Sequence, residues 1–284
     1  MATFTNQATM TYNNTTVTSN VVTGELVNSI TVTKTATGDV YTVGEPLTYV
    51  IALRNTGSTA ITGLTLTDDL GAYAFGTSTL YPLTYVEDSL LVYQDGVLQT
   101  GATVTAQTPL TVSGITVTAG GSTVIVYNAT PNEFAPLAEG DTINNTVTVT
   151  GGSLTSSTTA TATVTAASLP RLSIEKRIDP VPVEENGTLT YTFIIRNFGT
   201  TAATVADNVT VADVFNPILS DLTATLDGVT WTLGNEYTYD EATGAFVTTP
   251  GAITVDGATV TQDPTTGVYT VTPGTTTLVV TGTV

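Results

Sequence analysis

The chain has 284 residues, with 24 acidic and 6 basic side chains, a formal net charge of −18, and neither His nor Cys. That balance excludes nucleic acid and anionic membrane surfaces as partners, because both recruit basic patches. The absent residue types exclude disulfides and remove the usual metal ligands and nucleophile–base pairs.

At the N-terminus Phe4, Ala8, Met10 and Tyr12 alternate with polar residues, and a second apolar run includes Val21 and Val22. The pattern predicts an arm of residues 1–26 with strands at about 4–12 and 17–24. A hairpin of that length is marginal alone and needs a sheet to join. Residues 27–167 then read as repeated period-two runs separated by Thr56-Gly57, Asp95-Gly96, Gly120-Gly121 and Gly151-Gly152. Short alternating strands at that spacing predict a complete immunoglobulin-like β-sandwich.

Residues 168–284 repeat the first domain. Ile30-Thr31-Val32-Thr33-Lys34 returns as Leu172-Ser173-Ile174-Glu175-Lys176, and Leu47-Thr48-Tyr49 with Arg54-Asn55 returns as Leu189-Thr190-Tyr191 with Arg196-Asn197. Leu64–Asp68 matches Val209–Asp213, and Thr116–Thr118 with Val124–Val126 matches Thr270–Thr272 with Leu278–Val280. The first copy continues through Ile143–Thr150 and Ala160–Val164, whereas the second reaches Val284 without them. The expected fold is therefore all-β: two tandem immunoglobulin-like sandwiches, the second incomplete, with an N-terminal donor-strand arm.

The missing pattern sits in the arm. Phe4–Thr11 fits Ile143–Thr150 and places Asn6 on Asn145, while Asn20–Thr23 fits Ala162–Thr165. As a hairpin, the arm returns near its own start and cannot cross a domain roughly 35–40 Å wide to reach its own second domain. The expectation is that Phe4, Asn6, Ala8, Met10, Tyr12, Val21 and Val22 of one copy complete the second domain of its neighbour. Such a head-to-tail contact does not close, so the partner is the same chain in a homopolymer. The alternative is an adhesive stalk or ligand-binding module whose arm serves its own chain.

The motif Lys34…Gly44-Glu45-Pro46-Leu47-Thr48-Tyr49…Arg54-Asn55-Thr56-Gly57…Leu64-Thr65-Leu66-Thr67-Asp68 resembles the "domain of unknown function eleven" repeats of bacterial surface proteins. The second copy departs from it at Asn186-Gly187-Thr188 and by a short insertion before Asp213. The resemblance implies an immunoglobulin-like sandwich in an extracellular stalk or fibre on a cell or spore surface. Met1–Phe4 carries no basic or apolar leader, so export is expected through a removed leader or by mother-cell lysis. No run approaches the roughly 18 apolar residues of a membrane helix, and no membrane insertion is expected.

Lys34 and Lys176 are the only lysines, at matching first-strand positions. One reading is a pair of ion pairs with Asp68 and Asp213. The sharper one is an isopeptide bond, as in pilin-like sandwich domains, in which a first-strand lysine attacks a late-strand asparagine beside a buried acid. The residues would be Lys34, Asp68 and Asn144 or Asn145 in the first domain, and Lys176, Asp213 and the neighbour's Asn6 in the second. No enzyme activity and no cofactor are expected. Calcium at Asp68-Asp69 and Asp213 is weighed against solvated turn acids, which the absence of a calcium-loop motif favours.

Overall fold

A computed structural model describes residues 2–26, 30–152 and 154–284. Among them every element is a strand except a 3-10 turn at Val205–Asp207. They form two compact units: one runs to Pro136 and takes in Thr142–Thr165, the other comprises Leu137–Asp141 and Ala166–Val284.

The arm is a hairpin in two parts. Strand β1 (Ala2–Asn6) pairs with β4 (Val22–Leu26), and β2 (Thr9–Tyr12) pairs with β3 (Thr15–Thr18). Asn13 and Asn14 both take positive φ, 44° and 63°, the conformation that a two-residue turn needs to match strand twist. Midway the register slips: Asn6 faces Val22, but Thr9 faces Thr18. The extra residue is a bulge held by Ser19, whose hydroxyl accepts from the Ala8 amide at 2.9 Å and whose carbonyl accepts from Gln7 Nε2 at 2.7 Å. Without it Val17 and Val22, an odd number of residues apart, would point to opposite faces. Phe4 lies over Gly24, where a Cβ would stand 2.4 Å from the ring's Cζ.

Unit 1 has strands β5 (Ile30–Ala36), β6 (Val40–Tyr41), β7 (Leu47–Asn55), β8 (Ile61–Asp68), β9 (Tyr73–Phe75), β10 (Ser78–Leu80) and β11 (Leu83–Tyr85). It continues with β12 (Leu91–Gln94), β13 (Val97–Gln99), β14 (Thr103–Gln107), β15 (Leu110–Val117), β16 (Ser122–Pro131), β17 (Thr142–Gly151) and β18 (Thr158–Ala166). Two six-stranded sheets form from them. One has the order β13-β12-β16-β7-β5 with β11 on β16, the other β14-β15-β8-β17-β18-β6. Alternate residues of β7, β8, β16 and β17, among them Tyr49, Ile51, Leu66, Tyr127 and Val147, are fully buried, as half-buried strands require.

Unit 2 has strands β19 (Leu172–Asp179), β20 (Thr188–Asn197), β21 (Ala212–Val214), β22 (Ser220–Leu226) and β23 (Val229–Thr230). After these come β24 (Tyr237–Asp240), β25 (Ala245–Thr248), β26 (Thr259–Gln262), β27 (Tyr269–Thr272) and β28 (Gly274–Thr283). Its first sheet, β19-β20-β28-β22-β23, corresponds to β5-β7-β16-β12-β13. Its second has only three strands, β21-β25-β24, corresponding to β8-β15-β14. Counterparts of β17, β18 and β6 are absent among the described residues, so the edge of β21 that would take β17 is unpaired.

Three sequence matches shift. Thr270–Thr272 lies in a separate β26–β27 hairpin, and β25 takes the place of β15 instead. Tyr49 faces Tyr127 while Tyr191 faces Val280, so Val280 corresponds to Tyr127 and the β16–β28 match moves by one residue. In the arm, Val22 stands opposite Asn6 as Ala162 stands opposite Asn145, so the return strand is displaced from the fit of Asn20 on Ala162.

Candidate functional site

Strand β5 carries Lys34 on its inward face, and β8 ends at Asp68 beside it. The Lys34 Nζ to Asp68 Oδ2 distance is 2.6 Å, and both side chains are 0% exposed. Burial pulls the Lys34 amine down to about 8 against the opposing pull of Asp68. Burial also pushes the Asp68 carboxyl up, with Lys34 opposing. Both shifts favour the neutral pair, because each charge would be held away from water.

Two tyrosines complete the pocket. Tyr127, on β16, donates its hydroxyl to Asp68 Oδ2 at 2.7 Å. Its ring stacks on Tyr49 of β7 with centroids 5.5 Å apart, and Lys34 Nζ lies 5.1 Å from the Tyr49 centroid. Asn145, on β17, is fully buried and donates Nδ2 to Tyr127 Oη at 2.9 Å. Its Oδ1 is buried with no partner. Buried amide oxygens are rarely left unpaired, so the orphan marks a place where chemistry or strain is stored. Asp69 clamps the next residue: its Oδ1 accepts from the Thr146 amide at 2.8 Å and its own amide donates to the Thr146 carbonyl at 2.9 Å.

The sequence left Asn144 and Asn145 as alternatives, and strand parity separates them. Asn144 faces outward and accepts from Thr163 Oγ1 at 2.8 Å. Asn145 faces inward and is linked to Asp68 through Tyr127. Tyr127 and Tyr49 were not singled out from the sequence as site residues, and Asp69 was weighed there only as a calcium position. Tyr127 directly follows the Val124–Val126 run already matched, and its alternation with Ile125 was the signal available.

In unit 2 the same elements are opened to solvent. Lys176 bonds Asp213, but the two side chains are 41% and 19% exposed. Lys176 Nζ lies 4.5 Å from the Tyr191 ring centroid. Strand β19 pairs with β20 in the register of β5 on β7, yet Leu172 is 40% exposed where its counterpart Ile30 is 4% exposed, and Ile174 and Ile178 are exposed where Val32 and Ala36 are half-buried. A shallow cleft of about 180 Å³ lies there, lined by Leu172, Ile174, Ile195 and Val209–Val211. The face whose counterpart in unit 1 packs against β17 is bare.

The arm is the converse. Its strands pair only with one another among the described residues, and Phe4, Met10, Tyr12, Val21 and Val22 are exposed. Asn6 and Ala8 are exposed as well. Val22 shares a cross-strand pair with Asn6, whereas Val21 falls in the joint before β4.

Among the described residues no three acidic side chains are grouped to hold a metal ion, and no helix is long and apolar enough to cross a membrane. No family model matches the chain, and no curated protein does. Solved structures do resemble it. The major pilin subunit of Bacillus cereus aligns over 95% of this chain and 73% of its own at 13% identity and a TM-score of 0.39. The pilus backbone protein of Streptococcus pneumoniae aligns over 86% at 13% identity and 0.35. A 35 kDa C-terminal fragment of the Streptococcus agalactiae major pilin aligns over 81% at 14% identity and 0.35. The chain spans 55% of the length of the pneumococcal protein. These likenesses are of fold alone.

Proposed function

We propose that this chain is the structural subunit of a pilus-like extracellular fibre on a cell or spore surface, in which the arm of one copy completes unit 2 of the next. The observation that carries the reading is the contrast between equivalent strands. Strand β5 packs against β17 of the facing sheet, whereas β19 is exposed and the edge of β21 is free. A bare apolar face beside an open edge is an aggregation hazard unless a strand fills it. The arm has the right shape, since it is already a hairpin with an exposed apolar face, and it repeats the Asn of β17. Backbone pairing along β21 supplies affinity, and the alternating arm side chains supply specificity. The chain's role in this reading is mechanical rather than catalytic, and its partners are copies of itself.

Within unit 1, Lys34 and Asn145 then close an isopeptide bond. The neutral Lys34 amine attacks Asn145 Cγ, the Nζ–Cγ bond forms, the Cγ–Nδ2 bond breaks, and ammonia leaves with one proton from Nζ. The paired neutralising shifts of Lys34 and Asp68 supply the free amine. At the junction the same reaction joins Lys176 of one copy to Asn6 of the next, beside Asp213, once the arm has shut out water.

A synthetic peptide of residues 2–26 tests strand donation without polymerisation. Added to protein lacking those residues, it should bind one to one and slow hydrogen exchange at the amides of Ala212–Val214, and it should raise the melting temperature. Absence of binding at high micromolar peptide would overturn the proposal.

A further inference from the structure

Unit 1 holds an unbroken run of hydrogen bonds from nucleophile to leaving group. Lys34 Nζ donates to Asp68 Oδ2 at 2.6 Å, Tyr127 Oη donates to that same oxygen at 2.7 Å, and Asn145 Nδ2 donates to Tyr127 Oη at 2.9 Å. The other carboxylate oxygen, Oδ1, is occupied by the Leu70 amide at 3.1 Å. Tyr127 is thus the group that touches both the acid and the nitrogen that must depart.

We propose that Tyr127 relays the proton that lets Asn145 Nδ2 leave as ammonia, which makes it a catalytic residue of the Lys34–Asn145 closure. The inference rests on the isopeptide reading above and specifies its chemistry. An amide nitrogen is a poor leaving group until it is protonated, so a positioned acid at Nδ2 governs the second half of the reaction. When Nζ bonds to Cγ, the electrons of the carbonyl move to Oδ1 and Nζ becomes acidic. Asp68, already protonated in the neutral pair, donates to Tyr127 Oη, and the phenol hydroxyl turns to give its own proton to Nδ2, whose lone pair is freed in the tetrahedral centre. The emptied Oδ2 then takes the proton from Nζ. Collapse restores the carbonyl and breaks Cγ–Nδ2. One proton has moved from Nζ to Nδ2, Asp68 and Tyr127 end as they began, and ammonia carries away the balance.

The tyrosine is held for that task. Its ring is fixed by stacking on Tyr49, it is fully buried, and burial pushes its phenol well above the usual range, so it passes protons without ionising. Unit 2 has no equivalent, because Val280 stands opposite Tyr191 where Tyr127 stands opposite Tyr49. The junction must close without this relay.

The test uses full-length protein with Tyr127→Phe, which keeps the ring and removes the hydroxyl. The readout is peptide mapping by mass spectrometry of the branched Lys34–Asn145 peptide, followed over time after purification. Wild type should emerge closed. The variant should emerge folded and open and then close roughly a hundredfold more slowly, in line with the contribution of a positioned acid. A fluorinated tyrosine installed at position 127 should restore closure, which repair of packing alone would not explain because phenylalanine already packs. If the Phe variant emerges as fully closed as wild type, the relay is wrong while the cross-link stands. If wild type itself holds no branched peptide, the cross-link reading falls and the relay with it.

Discussion

Protein lacking residues 2–26 is expected to remain a folded monomer at concentrations where the full chain builds filaments. The reason is local. In unit 2 the apolar residues of β19 are exposed and β21 has one free edge, and the arm is the segment of this chain whose pattern matches the absent strands. Each large apolar side chain taken from water there contributes about 1.5–3 kcal/mol, and Phe4, Met10, Ile174 and Ile178 all stand to be buried. A single Phe4→Ala change should weaken assembly by about 3–5 kcal/mol, the range for truncating a buried aromatic. Negative-stain images and sedimentation of the two proteins side by side give the answer. Filaments from the shortened chain would show that another surface drives assembly.

The second large effect is on the heat resistance of unit 1. Asn145→Ala removes the acceptor of the cross-link, so the variant should show no ammonia deficit in its intact mass. A covalent staple closing a loop of about 100 residues stabilises by about 4–5 kcal/mol if it acts as a disulfide does. For a domain of this size that is a fall in melting temperature of about 15–20 °C. Loss of the Asn145 hydrogen bond alone would account for only about 1–3 kcal/mol. A double-mutant cycle separates the two. With Lys34→Gln already present the staple is gone, so adding Asn145→Ala should cost only the smaller amount. An equal, small effect in both backgrounds would mean that Lys34 and Asp68 form no more than a buried ion pair.

Much of this arrangement was legible in the chain, for physical reasons that differ by element. The arm could be read because period-two alternation at Phe4–Tyr12 has no purpose in a solvated tail, and because it repeats the pattern that the second domain lacks. The lysines stood out because only two exist and both fall at the same repeat position. Register was harder. Runs such as Val124–Val126 and Leu278–Val280 are apolar at every position, so sliding one against the other by a residue leaves the pattern intact, and the one-residue error hid Val280 behind Tyr127. The Thr270–Thr272 match failed for a related reason, since Thr-Val-Thr recurs in β5, β14, β17, β18 and β26 and does not identify one strand. The arm's bulge at Ser19 is a matter of side-chain hydrogen bonds to nearby backbone, which alternation alone does not report. Choosing between Asn144 and Asn145 required knowing which face of β17 meets the core.

The most direct test of strand donation uses the absence of cysteine from the native chain. In unit 1, Thr148 of β17 faces Thr67 of β8. The matching pair in the fibre is Thr9 of one copy opposite Ala212 of the next. Paired positions on antiparallel strands lie within the Cα separation that a disulfide spans. The double variant Thr9→Cys with Ala212→Cys, oxidised and run on a non-reducing gel, should give a ladder of covalent multimers that collapses on reduction. A disulfide confined to monomers would place the arm in its own chain, and free thiols at both positions would contradict strand donation altogether.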